Sequence, residues 1–137
     1  MAGYSGTPLP KKLGIKNGLT IALPNMPADV KAELKEALET CHSGGTNSEG
    51  LDYIHLFVKS LSELKKDFNT WAKRLAPAGM LWVSWPKKTS GIASDLDENK
   101  IRQIGLDAGL VDVKVCAVSE VWSGLKFVIR VRDRAKT

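Results

Sequence analysis

The chain has 137 residues and a formal net charge of +5 at pH 7, and 43% of the residues are hydrophobic and 26% charged. This composition is typical of a soluble protein, and the length predicts one domain, residues 1–137, that is large enough for a hydrophobic core. Because no apolar run approaches the roughly 20 residues that span a bilayer and the N-terminus lacks the apolar core of a signal peptide, we expect a cytoplasmic protein without membrane contact.

The first half of the chain predicts an arm, a strand and a helix. Residues 1–16 contain glycine, proline and lysine, and we expect an ordered N-terminal arm that covers part of a sheet; the alternative is a flexible tail. The apolar run "LTIAL", residues 19–23, predicts a buried parallel strand that ends at Pro24. Helical spacing and a stop at Ser43-Gly44-Gly45 then predict a helix with its buried face formed by Val30, Leu34, Ala37, Leu38 and Cys41.

The middle of the chain predicts two more strands, each followed by a helix. "YIHLFV", residues 53–58, and "MLWVSW", residues 80–85, are short apolar runs typical of central strands. Ser60 and Glu63 have the spacing of a capping box at the start of the second helix. The third helix is expected to begin at Asp97 and end at Gly109.

The end of the chain has a different pattern. Apolar and polar residues alternate over residues 111–117 and again over residues 125–131, which predicts an antiparallel pair of strands with one face partly exposed to water. The full order is β-α-β-α-β-α-β-β. It indicates an α/β three-layer sandwich with a mainly parallel five-stranded sheet and one antiparallel strand.

Two resemblances extend this interpretation. The segment from "DYIHLFV" to "FVIRV" resembles the second half of a class I S-adenosylmethionine-dependent methyltransferase, which implies a Rossmann-like sheet of order 1-2-3-5-4 with the fifth strand reversed. Across nearly the whole chain, "GYSGTPLPKKLGIKNG", "LWVSWPKKTSG" and "VDVKVCAVSEVWSGLKFV" resemble the small bacterial family called Domain of Unknown Function 3052. That second resemblance implies a fold but no particular chemistry.

The first strand departs from the methyltransferase pattern. It is followed by "PNMPAD", with prolines in place of the glycine-rich loop that lets backbone approach the cofactor. Only one helix separates "LTIAL" from "YIHLFV", so the usual second and third strands are expected to be absent. We therefore predict a truncated fold, no cofactor and, in particular, no binding of S-adenosylmethionine. No metal is expected either, because the two cysteines and two histidines lack ligand spacing.

A ligand site is predicted at the carboxyl ends of the parallel strands, where open α/β sheets bind ligands. If the fifth strand pairs with the third, the "WSG" turn lies beside "WPKK". The candidate ligand-binding residues are then Trp85, Lys87, Lys88, Ser90, Trp122, Ser123 and Lys126. Aromatic walls, ammonium groups and hydroxyls suit a small anionic metabolite, and the helix that begins at Ser60 would add backbone donors.

Each of these residues also has a structural interpretation. The tryptophans could pack the edge of the core, the lysines could be solvated, and Ser90-Gly91 and Ser123-Gly124 could only form turns. His55 lies in an apolar strand and is expected in the core. Alternating Arg130, Arg132 and Arg134 are expected on the wet face of a strand.

The favoured function is a non-catalytic ligand-binding or regulatory module with a degenerate methyltransferase-like fold. One alternative is an enzyme acting on a phosphorylated or carboxylated small molecule, although no catalytic triad, metal cluster or nucleophilic cysteine motif supports it. Another is a basic protein-interaction or nucleic-acid-interaction module. The net charge does not require nucleic acid, which is not the expected partner. Because an exposed apolar edge invites association, a homo-oligomer through the first strand is also considered.

Overall fold

A mixed sheet organises the protein in the computed structural model, which describes residues 7–45 and 48–134. Its strands are β1 (Thr20–Ala22), β2 (His42–Ser43), β3 (Leu51–Phe57), β4 (Leu75–Pro86), β5 (Leu110–Ala117) and β6 (Trp122–Ile129). They follow the order β2-β1-β3-β4-β6-β5 across the sheet. Strand β6 is antiparallel to both of its neighbours, and the pairs from β2 to β4 are parallel.

Helices cover both faces of this sheet and complete the predicted three-layer α/β fold. They are α1 (Leu9–Leu13), α2 (Ala28–Glu33), α3 (Lys35–Leu38), α4 (Leu61–Ala72), α5 (Glu98–Asp107) and α6 (Val131–Arg134). Helices α4 and α5 pack on one face, and α1 to α3 pack on the other. Within the described residues, none of these helices has the length and apolar character to cross a membrane.

The predicted helix starts are confirmed by side-chain caps. The hydroxyl of Ser60 accepts a hydrogen bond from the Glu63 N–H at 3.2 Å, and the carboxylate of Asp97 accepts one from the Lys100 N–H at 2.8 Å. Each cap satisfies a backbone donor that has no partner inside its helix. The local sequence therefore determines where α4 and α5 begin.

The predicted strand order is correct for five strands, but the sheet has an additional one. β2 lies outside β1 and is held by hydrogen bonds from His42 N–H to Leu19 O and from Gly44 N–H to Ile21 O, both 2.8 Å. Both residues of β2 are exposed, so no apolar pattern signals the strand. The expectation that β1 forms the exposed edge of the sheet is therefore wrong. Association through β1 was considered only because of that unpaired edge, and β2 covers it.

Helix α4 ends at Ala72, and the chain enters β4 only three residues later, at Leu75. Leu75 pairs with Leu51 of β3, and pairing resumes at Met80 opposite Tyr53 after an irregular stretch. A side chain at Gly79 would place its Cβ 2.7 Å from the carbonyl oxygen of Leu51. This glycine therefore allows the close approach of the two strands.

Residues 7–16, the described part of the predicted arm, contain α1 and pack over the centre of the sheet. Leu9 and Leu13 of α1 are buried, and the indole N–H of Trp82 in β4 donates a hydrogen bond to the Leu13 carbonyl at 2.9 Å. Gly14 ends the helix in the left-handed conformation, with φ of 81°. The arm therefore shields a face of the sheet, and the edge of β1 is shielded by β2. Residues 1–6 of the predicted arm lie outside the described residues.

Candidate functional site

The two loops predicted to meet do meet at the carboxyl edge of the sheet. Trp85 lies opposite Ser123, and Pro86 lies opposite Trp122, in the antiparallel pairing of β4 with β6. The Lys87 N–H donates a hydrogen bond to the Val121 carbonyl at 2.8 Å. The chain reversal inferred from the sequence therefore brings "WPKK" beside "WSG".

The two indoles nevertheless do not form walls of one pocket. Trp85 packs into the core between the sheet and α4 and α5, whereas Trp122 packs into the core on the opposite face. Because residues directly opposite each other share a face, the register that pairs Trp85 with Ser123 sends Trp122 to the other side. Both tryptophans are buried, as the core interpretation of these residues predicted.

The other predicted residues divide between this edge and a more distant position. Lys88 and Ser90 lie in a short 3₁₀ turn, where the Ser90 hydroxyl accepts a hydrogen bond from the Ile92 N–H at 3.1 Å. Lys126 lies opposite Trp82, well along β6 from the edge. Burial, together with the nearby charges of Lys114 and Lys16, lowers the pKa of Lys126. Lys126 therefore does not join the edge residues.

The backbone donors expected at the start of α4 are largely satisfied within the protein. The Leu61 N–H donates to the carboxylate of Asp95 at 2.8 Å, and the Lys59 N–H donates to the carboxylate of Glu63 at 2.8 Å. The Glu63 N–H is held by the Ser60 hydroxyl. These three N–H groups are therefore not available to an anion at this helix end, contrary to the prediction.

A cavity of about 460 Å³ lies on the face of β1, and another of about 420 Å³ lies at the carboxyl edge. The edge cavity occupies the point where strand order reverses, because the chain leaves β1 for β2 on one side and returns to β3 on the other. Ligands of open α/β sheets bind at such points. Its lining residues are Asn25, Pro27, Phe57, Lys59, Glu63 and Trp122.

Sequence reasoning found only part of this lining. Trp122 was a candidate residue, and Asn25 and Lys59 lie on loops predicted to reach this edge. Phe57 and Pro27 were missed because an apolar strand end and a helix-starting proline look purely structural in the sequence. The signal for Phe57 was its place at the carboxyl end of a central strand, where it is the last residue of β3.

The loop between β1 and α2 makes a left-handed turn without glycine. Asn25 has φ of 62° and is the one non-glycine residue with positive φ in the described part of the chain. Asparagine tolerates this conformation because its short polar side chain bonds locally. The loop thus obtains from Asn25 a backbone conformation that glycine ordinarily supplies.

This turn gives a simple prediction. We expect Asn25→Gly to leave the free energy of unfolding nearly unchanged and Asn25→Val to lower it by about 1 to 2 kcal/mol, because a β-branched residue resists positive φ. Urea unfolding of the two variants at neutral pH measures the difference. Equal stability of the glycine and valine variants would contradict the left-handed turn.

A buried polar network supports the floor of the edge cavity. Both ring nitrogens of His55 are hydrogen-bonded, Nδ1 to the Tyr53 hydroxyl at 2.8 Å and Nε2 to the Ser84 hydroxyl at 2.6 Å. Phe57 stacks on the His55 ring with centroids 4.5 Å apart and meets Trp122 edge-on at 5.1 Å. The network therefore joins β3 to β4 and fixes the two rings that line the cavity.

Burial keeps this network uncharged. It lowers the pKa of His55 to about 3 and raises the pKa of Tyr53, so both groups are neutral at physiological pH. His55 is fully buried, which agrees with its predicted place in the core. It therefore holds the site in shape and does not itself face the cavity.

Comparison with solved structures shows the methyltransferase fold. A methyltransferase described as S-adenosylmethionine-dependent, from Aquifex aeolicus, matches with a TM-score of 0.63 and 13% identity over 87% of each chain. Magnesium protoporphyrin IX methyltransferase from Synechocystis, with bound S-adenosylhomocysteine, matches with a TM-score of 0.60 and 14% identity, over 88% of this chain and 78% of that one. A TehB-like S-adenosylmethionine-dependent methyltransferase from Corynebacterium glutamicum gives 0.54 and 8%, over 88% and 85%.

No protein-family model and no curated protein sequence matches the chain. The structural matches nevertheless contradict two expectations: that the chain is a non-catalytic module, and that S-adenosylmethionine is not its cofactor. The solved structures compared above are methyltransferases, and the match to the Aquifex protein covers 87% of each chain. The expectations failed because they assumed that the second strand is absent and that only glycine can shape the first loop, whereas β2 is present and Asn25 makes the left-handed turn.

Proposed function

We propose that this chain is an S-adenosylmethionine-dependent methyltransferase whose cofactor binds in the edge cavity between β1 and β3. The proposal rests on the position of the cavity within this fold. The cavity lies at the strand-order switch of a sheet whose solved counterparts include S-adenosylmethionine-dependent methyltransferases. When bound, this cofactor supplies a methyl group activated by its sulfonium centre.

The lining fits such a ligand in size and chemistry. A volume of about 420 Å³ lies within the ordinary range of small-molecule pockets. The rings of Phe57 and Trp122 offer apolar surface for a nucleoside, and Lys59 and Glu63 offer one charge of each sign for an amino-acid moiety. These residues would bind and orient the cofactor and exclude water from one side of it.

The neighbouring loop gives a proposal for the acceptor. Lys87 is tied by its backbone to the loop that carries Trp122, and Lys88 is exposed in the following turn. Two ammonium groups near the edge favour an acceptor that carries a phosphate or carboxylate. The predicted anionic ligand would then be the methyl acceptor.

Three wider proposals accompany this function. The three stretches quoted above support membership of the Domain of Unknown Function 3052 family. The continuous sheet and the packing of α1 on it support a single domain with residues 1–16 as an arm. The expectation of a cytoplasmic protein stays a proposal, and the ordinary balance of hydrophobic and charged residues in the chain supports it.

The test uses two equally buried tryptophans at the same edge. Trp122 lines the cavity and Trp85 packs on the opposite face of the sheet, and they are 6% and 7% exposed. We expect titration calorimetry to show binding of S-adenosylmethionine and S-adenosylhomocysteine, weakened about tenfold by Trp122→Leu, because losing aromatic contact costs about 1.4 kcal/mol.

Trp85→Leu is the matched control, since it removes similar buried surface without touching the cavity. We expect this variant to lose stability but to keep the affinity for both ligands. Failure of the folded wild-type protein to bind either ligand would overturn the proposed function. Equal weakening by the two substitutions would place the ligand elsewhere.

A further inference from the structure

The larger cavity shares no lining residue with the edge site and lies beside β1 at the β2 side of the sheet, where α2 and the end of α4 both contribute to it. Ile21 and Ala22 line it and pair with Tyr53 and Ile54 of β3, whereas the edge cavity begins at Phe57. It has a volume of about 460 Å³. Its lining residues are Ile21, Ala22, Leu23, Lys31, Ser43, Gly44, Gly45, Trp71 and Arg74.

The connection between β2 and β3 explains why this space is open. It runs over residues 44–50, and its described residues contain no helix to cover the face of β1. The C-terminal part of α4 reaches the space only with Trp71, and Arg74 follows just after the helix. A cavity with an apolar floor and one aromatic wall is left between these segments.

One cation at this cavity is fixed in place. The Arg74 guanidinium donates from Nε to the Ser48 carbonyl at 2.6 Å and from Nη2 to the Gly45 carbonyl at 2.8 Å. It also lies over the Trp71 ring, 4.5 Å from the centroid. Two of its five N–H donors are therefore used among the described residues, and the group is held at the cavity with donors to spare.

The charged side chains that line this cavity among the described residues are all positive. Lys31 contributes a second cation, with no side-chain hydrogen bond or ion pair to any described residue, and the described residues of the lining include no carboxylate. Ser43 adds a hydroxyl. Because an anion on a fixed guanidinium forms charge-assisted hydrogen bonds without ordering the side chain anew, this arrangement favours a negatively charged group.

We propose that this cavity is a second ligand site, which binds a small molecule made of an aromatic ring with a phosphate or carboxylate. The anionic group lies at Arg74 and Lys31, and the ring lies against Trp71 and the apolar floor at Ala22. The site does not depend on methyl transfer, because it shares no lining residue with the edge cavity.

The experiment is an NMR titration of the full chain with phenyl phosphate, followed on the amides of Gly44 and Gly45 and the indole N–H of Trp71. We expect saturable shifts of these three resonances, and much weaker binding of inorganic phosphate, which lacks the ring, and of phenol, which lacks the charge. Saturable binding with shifts confined to Asn25 and Trp122 would assign the anion to the edge site and overturn the proposal. Absence of saturation by phenyl phosphate at millimolar concentration would also overturn it.

Paired lysine substitutions test the charge. Lys31→Ala removes a cation that lines the cavity, and Lys35→Ala removes one outside the lining, on the next helix. We expect the first to weaken phenyl phosphate binding about fivefold and the second to leave it unchanged, as for loss of one partly exposed ionic contact. If both substitutions weakened phenyl phosphate binding equally, the effect would come from the net charge of the protein, and the proposed site would be contradicted.

Discussion

Acidification is expected to destabilise the protein by about 3 kcal/mol between pH 7 and pH 4 through His55 alone. Burial lowers the pKa of this histidine to about 3 in the folded protein, whereas it titrates near its ordinary value of 6.5 when unfolded. Between these values the unfolded state binds more protons, so the contribution of His55 is complete above pH 6.5 and is lost as the pH falls toward 3.

The measurement is the free energy of unfolding in urea at several pH values, for wild type and His55→Gln. Glutamine keeps donor and acceptor groups between Tyr53 and Ser84 but does not titrate, so the variant should lose about 3 kcal/mol less on acidification. His42→Gln removes the other histidine, which is exposed on β2, and serves as the control for replacing a histidine by glutamine. If His55→Gln and wild type respond to acid in parallel, the histidine is not buried in neutral form.

Gly105→Ala is expected to destabilise the protein by about 2 to 3 kcal/mol, because it overfills the core. In an exposed helix the same change stabilises by up to about 1 kcal/mol. Here a Cβ at residue 105 of α5 would lie 2.0 Å from Cε1 of Phe127, a ring that also packs edge-on against Phe68 at 5.5 Å. The helix can keep its distance from β6 only with glycine at this position.

A double-mutant cycle separates this clash from any effect on the helix itself. Phe127→Leu removes the ring atoms that a Cβ would meet, so the double variant should be more stable than the sum of the two single losses by at least about 1 kcal/mol. Chemical unfolding of all four proteins measures this coupling. Additive losses would show that the ring is not the obstacle.

The architecture follows from the sequence because its signals are local. The apolar run at residues 53–58, the cap at Ser60 and the alternation over residues 111–117 each depend only on near neighbours in the chain, and each predicted its element correctly. Connection lengths and the reversal at the end of the chain then limited the order of the five strands. β2 was not predicted because its two exposed residues show no alternation of apolar and polar side chains. Only their pairing with β1 makes them a strand.

The sequence by itself determined the central elements, the order of five of the six strands and the edge at which a site would form. The tertiary structure decided which side chains share that site, because register and packing set the face to which each residue points. Alternation shows that neighbouring residues point to opposite faces, but only the pairing of Pro86 with Trp122 shows that Trp122 joins Phe57 while Trp85 lies beneath α4 and α5. A cavity is the space left between segments that are distant in the chain, so its lining depends on three-dimensional packing that no local pattern records.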